Sequence, residues 1–290
     1  MFINKKIDLK NKTIIKVNPT HLKKMKFVFA TAKKCQQFTA IFANLKTFTE
    51  NVSLYFKPDQ MYIQCMDDSH CSLFECRLSS KWFKTYEFDT ATDMGQIAIN
   101  IVMLNKVLNT WNDTQEMIIE LQPESDKIHI SFENGNTDTS QFNKYFELSL
   151  IDLENQLLDA IVSDTLVDMS VESKIFHSLV NQLTIFNDNL KITFYEDDVE
   201  FMSSGTDGSM TAKIKAEDLA EYAISEGSVL TQTYSLRYVQ MMCQFNKLAS
   251  EMILGFSAEM PMTMKYMLGD NNDTESFVRI HLAPKIPDDE

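Results

Sequence analysis

The chain has 290 residues, of which 44% are hydrophobic, with seven glycines and six prolines. This length allows two domains that each bury a core, and this composition excludes a low-complexity chain. The formal net charge is −14, yet residues 1–26 hold eight lysines and one acid. The rest of the chain is therefore strongly acidic, and any contact with nucleic acid would need a local basic surface.

Cysteine usage and hydropathy restrict the cellular setting. The five cysteines are an odd number and form no C-x-x-C pair, so we expect reduced thiols in a nuclear or cytosolic protein. No apolar run approaches the length of a membrane span, and the N-terminus lacks the apolar segment of a secretion signal.

In chain order, residues 1–25 are interpreted as a basic, loosely docked extension. The following unit has two stretches with helical spacing of apolar residues, at 33–48 and 100–111. Its hairpin turns through Lys57-Pro58-Asp59-Gln60, which has the residues of a tight turn. Strands are predicted in this unit at 27–31, 52–56, 61–66, 71–78, 117–121, 127–132 and 144–150.

The chain then nearly repeats itself at an offset of 138 residues. Apolar positions of the first helix, from Phe38 to Phe48, reappear from Phe176 to Phe186, and the strand pattern from Val52 to Phe56 reappears from Leu190 to Phe194. Helices are therefore predicted at 173–186 and 235–245, and strands at 190–194, 199–203 and 209–215. We expect an α+β protein with two similar domains, 26–149 and 165–290, joined by a connector at 150–164. Each domain would place two helices on its β-sheets.

Four short segments carry a family resemblance, in the family's own order. Met66-Asp67-Asp68-Ser69-His70 resembles the "MDSSH" segment of the eukaryotic sliding clamp family, proliferating cell nuclear antigen. Ser235-Leu236-Arg237-Tyr238 resembles its "ALRY", and Met260-Pro261-Met262 its "VPL". The segment from Leu282 to Ile286 reads "LAPKI" as in the family, and an acidic tail follows it. The resemblance runs from about residue 27 to 290, and the basic extension has no counterpart in it. Such divergence would suit a protist or a large DNA virus.

The resemblance implies the DNA clamp fold and a homotrimeric ring around duplex DNA. Two repeats in each of three chains would give the six similar units of the family's ring. The ring would bind DNA without reading sequence, and its helices would line the hole. The basic residues expected to face DNA are Lys33, Lys34, Lys46, Lys106, Arg237 and Lys247. The third helix instead presents His177, Ser178, Asn181 and Gln182, where the family usually has arginines, so this part of the pore would be less basic.

Ring closure in the family pairs edge strands of neighbouring chains. The matching segments here are 142–150 and 209–215, and their charges suggest complementarity, with Glu147 on one and Lys213 on the other. The residues expected at the subunit interface are Phe146, Glu147, Met210, Lys213 and Lys215.

The resemblance also implies partners: DNA polymerase and other proteins with short aromatic-anchored peptides, and a clamp loader. The peptide would enter a groove beneath the connector. The matching positions are Met66, His70, Leu158, Ala160, Pro261, His281, Leu282, Ala283 and Pro284. His281 stands where the family commonly has an aromatic residue, and Ala160 where it often has a larger aliphatic one, so the pocket is expected to be altered.

No catalytic or metal site is predicted, and no cofactor. The polar run from Asp67 to His70 lacks the convergent base and orienting group that a nucleophile needs. The cysteine spacings around His70 match no usual zinc pattern. The alternative to a homotrimeric clamp is a clamp-fold adaptor that is monomeric or part of a heteromeric ring. We expect a nuclear protein, or one of a cytoplasmic replication compartment if it is viral.

Overall fold

The computed structural model describes residues 22–90, 95–122, 125–135, 142–153, 157–158, 165–225, 227–270 and 272–285. These residues form four α-helices and 18 β-strands in three sheets. Most of the basic extension, and residues 154–156 and 159–164 of the connector, lie outside the described residues. Within the described residues, no helix is long and apolar enough to cross a membrane.

The helices follow the predicted apolar stripes with small shifts at their ends. They are α1 (Ala32–Leu45), α2 (Ile101–Leu108), α3 (Ser173–Leu183) and α4 (Leu236–Cys243). Side-chain oxygens of Thr31 and Asn100 accept backbone N–H groups at the first turns of α1 and α2, which explains where these helices begin. In α1, Phe38, Ile41 and Leu45 are fully buried, and each such burial stabilises the fold by about 2 kcal/mol.

Among the described residues, nine strands occur in each half of the chain. The first half contains β1 (Leu22–Phe29), β2 (Asn51–Lys57), β3 (Gln60–Met66), β4 (Ser72–Ser79), β5 (Phe83–Thr90), β6 (Gly95–Asn100), β7 (Gln115–Leu121), β8 (Lys127–Asn134) and β9 (Lys144–Ser149). The second half contains β10 (Val167–Glu172), β11 (Asn189–Phe194), β12 (Asp198–Gly205), β13 (Gly208–Lys215), β14 (Glu221–Ile224), β15 (Leu230–Ser235), β16 (Glu251–Phe256), β17 (Met262–Met267) and β18 (Phe277–Leu282).

The sheet order repeats with the sequence. A five-stranded sheet has the order β5-β1-β7-β8-β9, and the same order recurs in the second half as β14-β10-β16-β17-β18. Likewise β4-β3-β2-β6 recurs as β13-β12-β11-β15. The predicted α+β architecture of two similar units is therefore confirmed, and the internal duplication includes the strand pairing.

One antiparallel pair, β4 with β18, joins the two units into a single nine-stranded sheet. The aromatic core is continuous across this junction: Phe245 lies 5.5 Å from Phe74 and 6.2 Å from Phe48, measured between ring centroids. The helices lie on the same side of the nine-stranded sheet as this aromatic core, since the Tyr266 hydroxyl of β17 donates to the Met242 carbonyl of α4 at 3.2 Å. The other side of this nine-stranded sheet is called the outer face below.

Two of the four family landmarks have a common structural role. The buried Asp67 carboxylate accepts hydrogen bonds from the backbone of Ser72 at 2.6 Å and of Cys71 at 2.9 Å, which closes the loop between β3 and β4. The Tyr238 hydroxyl, on α4 of the other unit, donates to the same carboxylate at 3.3 Å. Asp67 therefore holds its own loop and ties it to the second unit.

Candidate functional site

The four helices are free of acidic residues in an acidic protein. The chain has 41 Asp and Glu residues, but none lies within α1–α4. The helices carry five basic residues instead: Lys33, Lys34, Lys106, Lys174 and Arg237. A surface built from these helices is positive although the whole chain is negative, and this is the local basic surface that binding to DNA requires.

Side-chain amides connect the helices of the two units. Gln37 of α1 donates to the Leu248 carbonyl at 2.8 Å, and Asn44 of α1 donates to the Gln244 carbonyl at 3.0 Å. Within the second unit, Gln240 of α4 donates to the Asn181 side-chain oxygen of α3 at 2.8 Å. The acid-free helices therefore form one layer that crosses the boundary between the units.

Most of the basic residues predicted to face DNA are exposed on this layer or at its ends: Lys33, Lys46, Lys106, Arg237 and Lys247. Lys34 is a correction. It is only 8% exposed, and its ammonium lies 3.5 Å from the Asp270 carboxylate and 5.7 Å from the centre of the Trp82 ring. A lysine that is already paired and packed in this way is not available to a phosphate.

The sequence reasoning missed Lys174. It is exposed in the first turn of α3, the helix that was expected to make this part of the pore less basic. The residue of the first repeat that corresponds to Lys174 is Gln36, which is uncharged. Comparison of the two repeats therefore did not indicate a basic residue at this position. The polar face of α3 continues with His177, Ser178, Asn181 and Gln182, which are exposed or half-buried as expected. Charge on α3 is therefore reduced but not absent.

The predicted groove residues Met66 and His281 lie in one cross-strand row on the outer face. His281 pairs with Thr263 on one side and with Leu73 on the other, and Leu73 pairs with Met66. These four residues form the groove row, and two of them, Thr263 and Leu73, were absent from the predicted set. The row begins in β17 of one unit and ends in β3 of the other, so the groove depends on the β4–β18 junction.

The connector is held beside this groove at Leu158. Gln64 of β3 uses both ends of its side-chain amide: its nitrogen donates to the Leu158 carbonyl at 2.8 Å, and its oxygen accepts from the Leu158 backbone nitrogen at 2.7 Å. The Leu158 residue is half-buried. Ala160, which was also predicted to line the groove, lies outside the described residues.

Leu282 is a second correction. Its side chain is 1% exposed and belongs to the hydrophobic core on the helix side of β18, because alternate residues of a strand face opposite sides. The remaining predicted groove positions, Pro261, Ala283 and Pro284, are half-buried around the same end of the sheet. His70 is exposed in the β3–β4 loop with a left-handed φ of 56°.

The outer face contains a buried carboxylate, that of Glu75 in β4. It accepts hydrogen bonds from the Tyr62 hydroxyl at 2.6 Å, from Arg279 Nε at 2.9 Å and from His281 Nε2 at 2.6 Å. Burial by itself raises the pKa of Glu75, but the hydrogen bond from His281 and the charge of Arg279 outweigh it and lower this pKa to about 2. His281 is therefore engaged with Glu75 through Nε2, and this is why a histidine can replace an aromatic side chain at this buried position.

The predicted interface residues lie on two sheet edges, β9 and β13. Phe146 and Met210 are half-buried and pack against the core. The charges expected to complement each other already have partners within the chain: Glu147 pairs with Lys127 at 2.8 Å, and Lys213 pairs with Asp198 at 3.0 Å. Lys215 likewise pairs with Glu217 at 2.9 Å. The charged residues therefore support a contact between chains at these edges less strongly than the apolar residues Phe146 and Met210 do.

Comparison with known proteins gives two consecutive family matches. The model of the proliferating cell nuclear antigen N-terminal domain matches residues 27–157, and that of the C-terminal domain matches residues 159–285. Similar curated proteins include proliferating cell nuclear antigen of Chaetomium thermophilum, 27% identical over 79% of this chain and 86% of the relative. Proliferating cell nuclear antigen 1 of Plasmodium falciparum is 25% identical over 86% and 93%, and proliferating cell nuclear antigen 2 of Drosophila melanogaster is 25% identical over 84% and 92%.

Proposed function

The chain belongs to the proliferating cell nuclear antigen family of non-enzymatic DNA sliding clamps, and we propose that it encircles duplex DNA as a homotrimeric ring. In this role it tethers DNA polymerase and other replication and repair proteins to their template as a processivity factor. It requires a clamp loader to open and close the ring, and it acts in the nucleus or in a cytoplasmic replication compartment.

The observation that carries the ring proposal is the junction between the two units. Within the chain, β18 of the second unit pairs with β4 of the first. In the repeated sheet order, the counterpart of β18 is β9 and the counterpart of β4 is β13. Within the described residues, β9 and β13 are both unpaired sheet edges. A neighbouring chain could pair its β13 with this β9 in the same way, and each contact would leave equivalent edges for the next chain.

The repeat also specifies a register for this contact between chains. Ile280 faces Phe74 at the junction within the chain. Matching strand registers in the two units place Phe146 at the position of Ile280 and Met210 at the position of Phe74. We therefore propose that Phe146 packs on Met210 of a neighbouring chain. This apolar pair would stabilise the ring by removing two half-buried side chains from water.

Contact with DNA is assigned to the acid-free helix layer. Its support is the exclusion of all 41 acidic residues from α1–α4, together with the exposed Lys33, Lys106, Lys174 and Arg237. Exposed ammonium and guanidinium groups attract phosphates without reading bases, which suits a ring that must slide. Lys46 and Lys247, at the ends of the helices, add to the same positive surface.

Partner proteins are assigned to the groove row beside Leu158. Met66 and Leu73 provide an apolar floor, Pro261, Ala283 and Pro284 lie at one end, and Gln64 fixes the connector beside it. We propose that polymerase and repair proteins insert short peptides with aromatic and aliphatic plugs there. Because His281 is bonded to Glu75, this floor is more polar than an aromatic residue would make it.

The ring proposal is tested by the mass in solution. We expect light scattering at micromolar concentration to give about three times the 33.4 kDa of one chain. Phe146→Asp should lower the mass to that of one chain, because it places a charge against Met210, while the control Val229→Asp, at an exposed loop residue, should leave it unchanged. A stable monomer of the unaltered chain would overturn the homotrimer and favour the monomeric or heteromeric adaptor.

A further inference from the structure

A second row of side chains crosses the outer face beside the groove row. The register runs through Ile253 of β16, Lys265 of β17, Arg279 of β18, Glu75 of β4 and Gln64 of β3. This is the charged row. It lies two residues along each strand from the groove row, a separation of about 7 Å. A peptide seated on the groove row would therefore place a flanking residue over the charged row.

The single carboxylate of the charged row is already saturated. Glu75 accepts from Arg279 and His281 at one oxygen and from Tyr62 at the other. It is 2% exposed, so it has no access to a mobile partner. The negative charge of Glu75 therefore compensates Arg279 and does not compensate Lys265.

Lys265 is left as a half-buried cation. Within the described residues, no carboxylate lies at ion-pair distance from its ammonium, which sits 4.9 Å from the centre of the Phe277 ring. Burial lowers the pKa of Lys265, and the neighbouring charge of Arg279 lowers it further. Both effects disfavour the charged ammonium, whereas an anion placed beside it would favour the charged form. Arg279 also stacks on Phe277, at 5.0 Å, so the two cations share one aromatic platform.

We propose that Lys265 forms an anion subsite that binds the carboxylate of an Asp or Glu flanking the apolar plugs of a partner peptide. The inference rests on the proposed partner groove and deepens it, because it names a charge that the partner must carry. A carboxylate is selected because the subsite offers positive charge on a protein with a net charge of −14. Outside the helix layer and the basic extension the chain is strongly acidic and would repel an acidic peptide, so a peptide bound there would be disfavoured.

The test uses the full chain and two synthetic peptides. Both carry one aliphatic and two aromatic plugs on one helical turn, and one is flanked on each side by two Asp residues while the other has Asn there. Calorimetry should show the Asp peptide binding about 3- to 10-fold more tightly, a preference that falls as NaCl is raised. Lys265→Met should abolish the preference, and Lys265→Glu should reverse it.

The control is Lys57→Met, which removes an exposed lysine of β2 that is four strands, or about 19 Å, from β17 in the same sheet. It should keep the full preference for the Asp peptide. Equal affinity of the two peptides for the unaltered chain overturns the anion subsite and leaves the groove intact. Binding of neither peptide overturns the groove and the subsite together. A preference that survives in Lys265→Glu places the selectivity elsewhere and also overturns the proposal.

Discussion

At the scale of single residues, the outer face is organised by one buried charge. Glu75 is 2% exposed, and its three donors come from β3 and β18, which belong to different units. A buried carboxylate without partners would be strongly destabilising, whereas this one is fully bonded. Because Arg279 and His281 stand beyond the β4–β18 junction, the Glu75 carboxylate also fastens the two units together.

Replacing Glu75 by Gln should lower the free energy of unfolding by about 3 kcal/mol at pH 7, because the half-buried Arg279 loses its counter-charge. The folded-state pKa of Glu75, about 2, lies below its ordinary value of 4.5, so its ionised form stabilises the fold above pH 4.5. That contribution is lost as the pH falls from 4.5 through 2. Urea titrations between pH 7 and 3 should therefore show the gap between the two proteins narrowing below pH 4.5. A gap independent of pH would contradict this role.

At the scale of elements, corresponding helices of the two units share their packing residues but differ in their charged residues. The buried stripes of α1 and α3 are equivalent, as Phe38, Ile41 and Leu45 correspond to Phe176, Leu179 and Leu183. Their exposed faces differ, since Lys33 and Lys46 have no basic counterpart on α3, and Lys174 has none on α1. Packing against a sheet constrains the apolar stripe of each helix, whereas a diffuse attraction to phosphate requires only positive charge somewhere on the layer.

Reversing two of these charges should weaken binding to DNA without changing assembly. For Lys106→Glu combined with Arg237→Glu, we expect lower affinity for a 30-base-pair duplex in fluorescence anisotropy. The dependence of log affinity on log salt should also become less steep, by about 0.9 for each phosphate that the protein no longer neutralises. Lys84→Glu, on β5 and outside the helix layer, is the control. Unchanged salt dependence in the double variant would remove the helix layer from the DNA-binding surface.

At the scale of the whole molecule, one strand-pairing arrangement would serve two purposes in the proposed ring. The β4–β18 pair closes the chain internally, and the same arrangement of β9 and β13 would close the ring between chains. Edge strands that stay unpaired invite uncontrolled association, and a closed ring removes them. The in-chain ion pairs of Glu147 and Lys213 leave the apolar residues Phe146 and Met210 to determine this contact.

The register of the ring contact can be tested with cysteine pairs. Tyr145 and Thr211 are exposed residues that correspond to Arg279 and Glu75, which face each other across the internal junction. Tyr145→Cys with Thr211→Cys should therefore form a disulfide between chains on mild oxidation, visible as covalent trimers in a denaturing gel. Glu147→Cys with Thr211→Cys is slipped by two residues, beyond the usual Cα separation of a disulfide, and should not cross-link. Equal cross-linking of both pairs would contradict the register.

Much of the fold could be predicted from the sequence because its signals are local. The helical stripe of α1 and the turn at Lys57-Pro58-Asp59-Gln60 depend on neighbouring residues, and both occur in the structure close to their predicted places. Short strands such as β14 and β15 were not located, because their pattern is weak and their pairing partners are distant in sequence. The groove residues were predicted through resemblance; the structure brings Met66 and His281 into one cross-strand row, whereas Leu282 lies in the core.

The sequence by itself determined the duplication and the family, because both follow from the order of residues along the chain. The tertiary structure alone decided which side chains are free to act. Lys34 and Lys33 are neighbours in sequence, yet one is paired with Asp270 and the other is exposed. Lys265, Arg279 and Glu75 form one row only because strands distant in sequence align in register. Burial and pairing depend on such long-range contacts, and so the charge that a surface presents is a property of the folded chain.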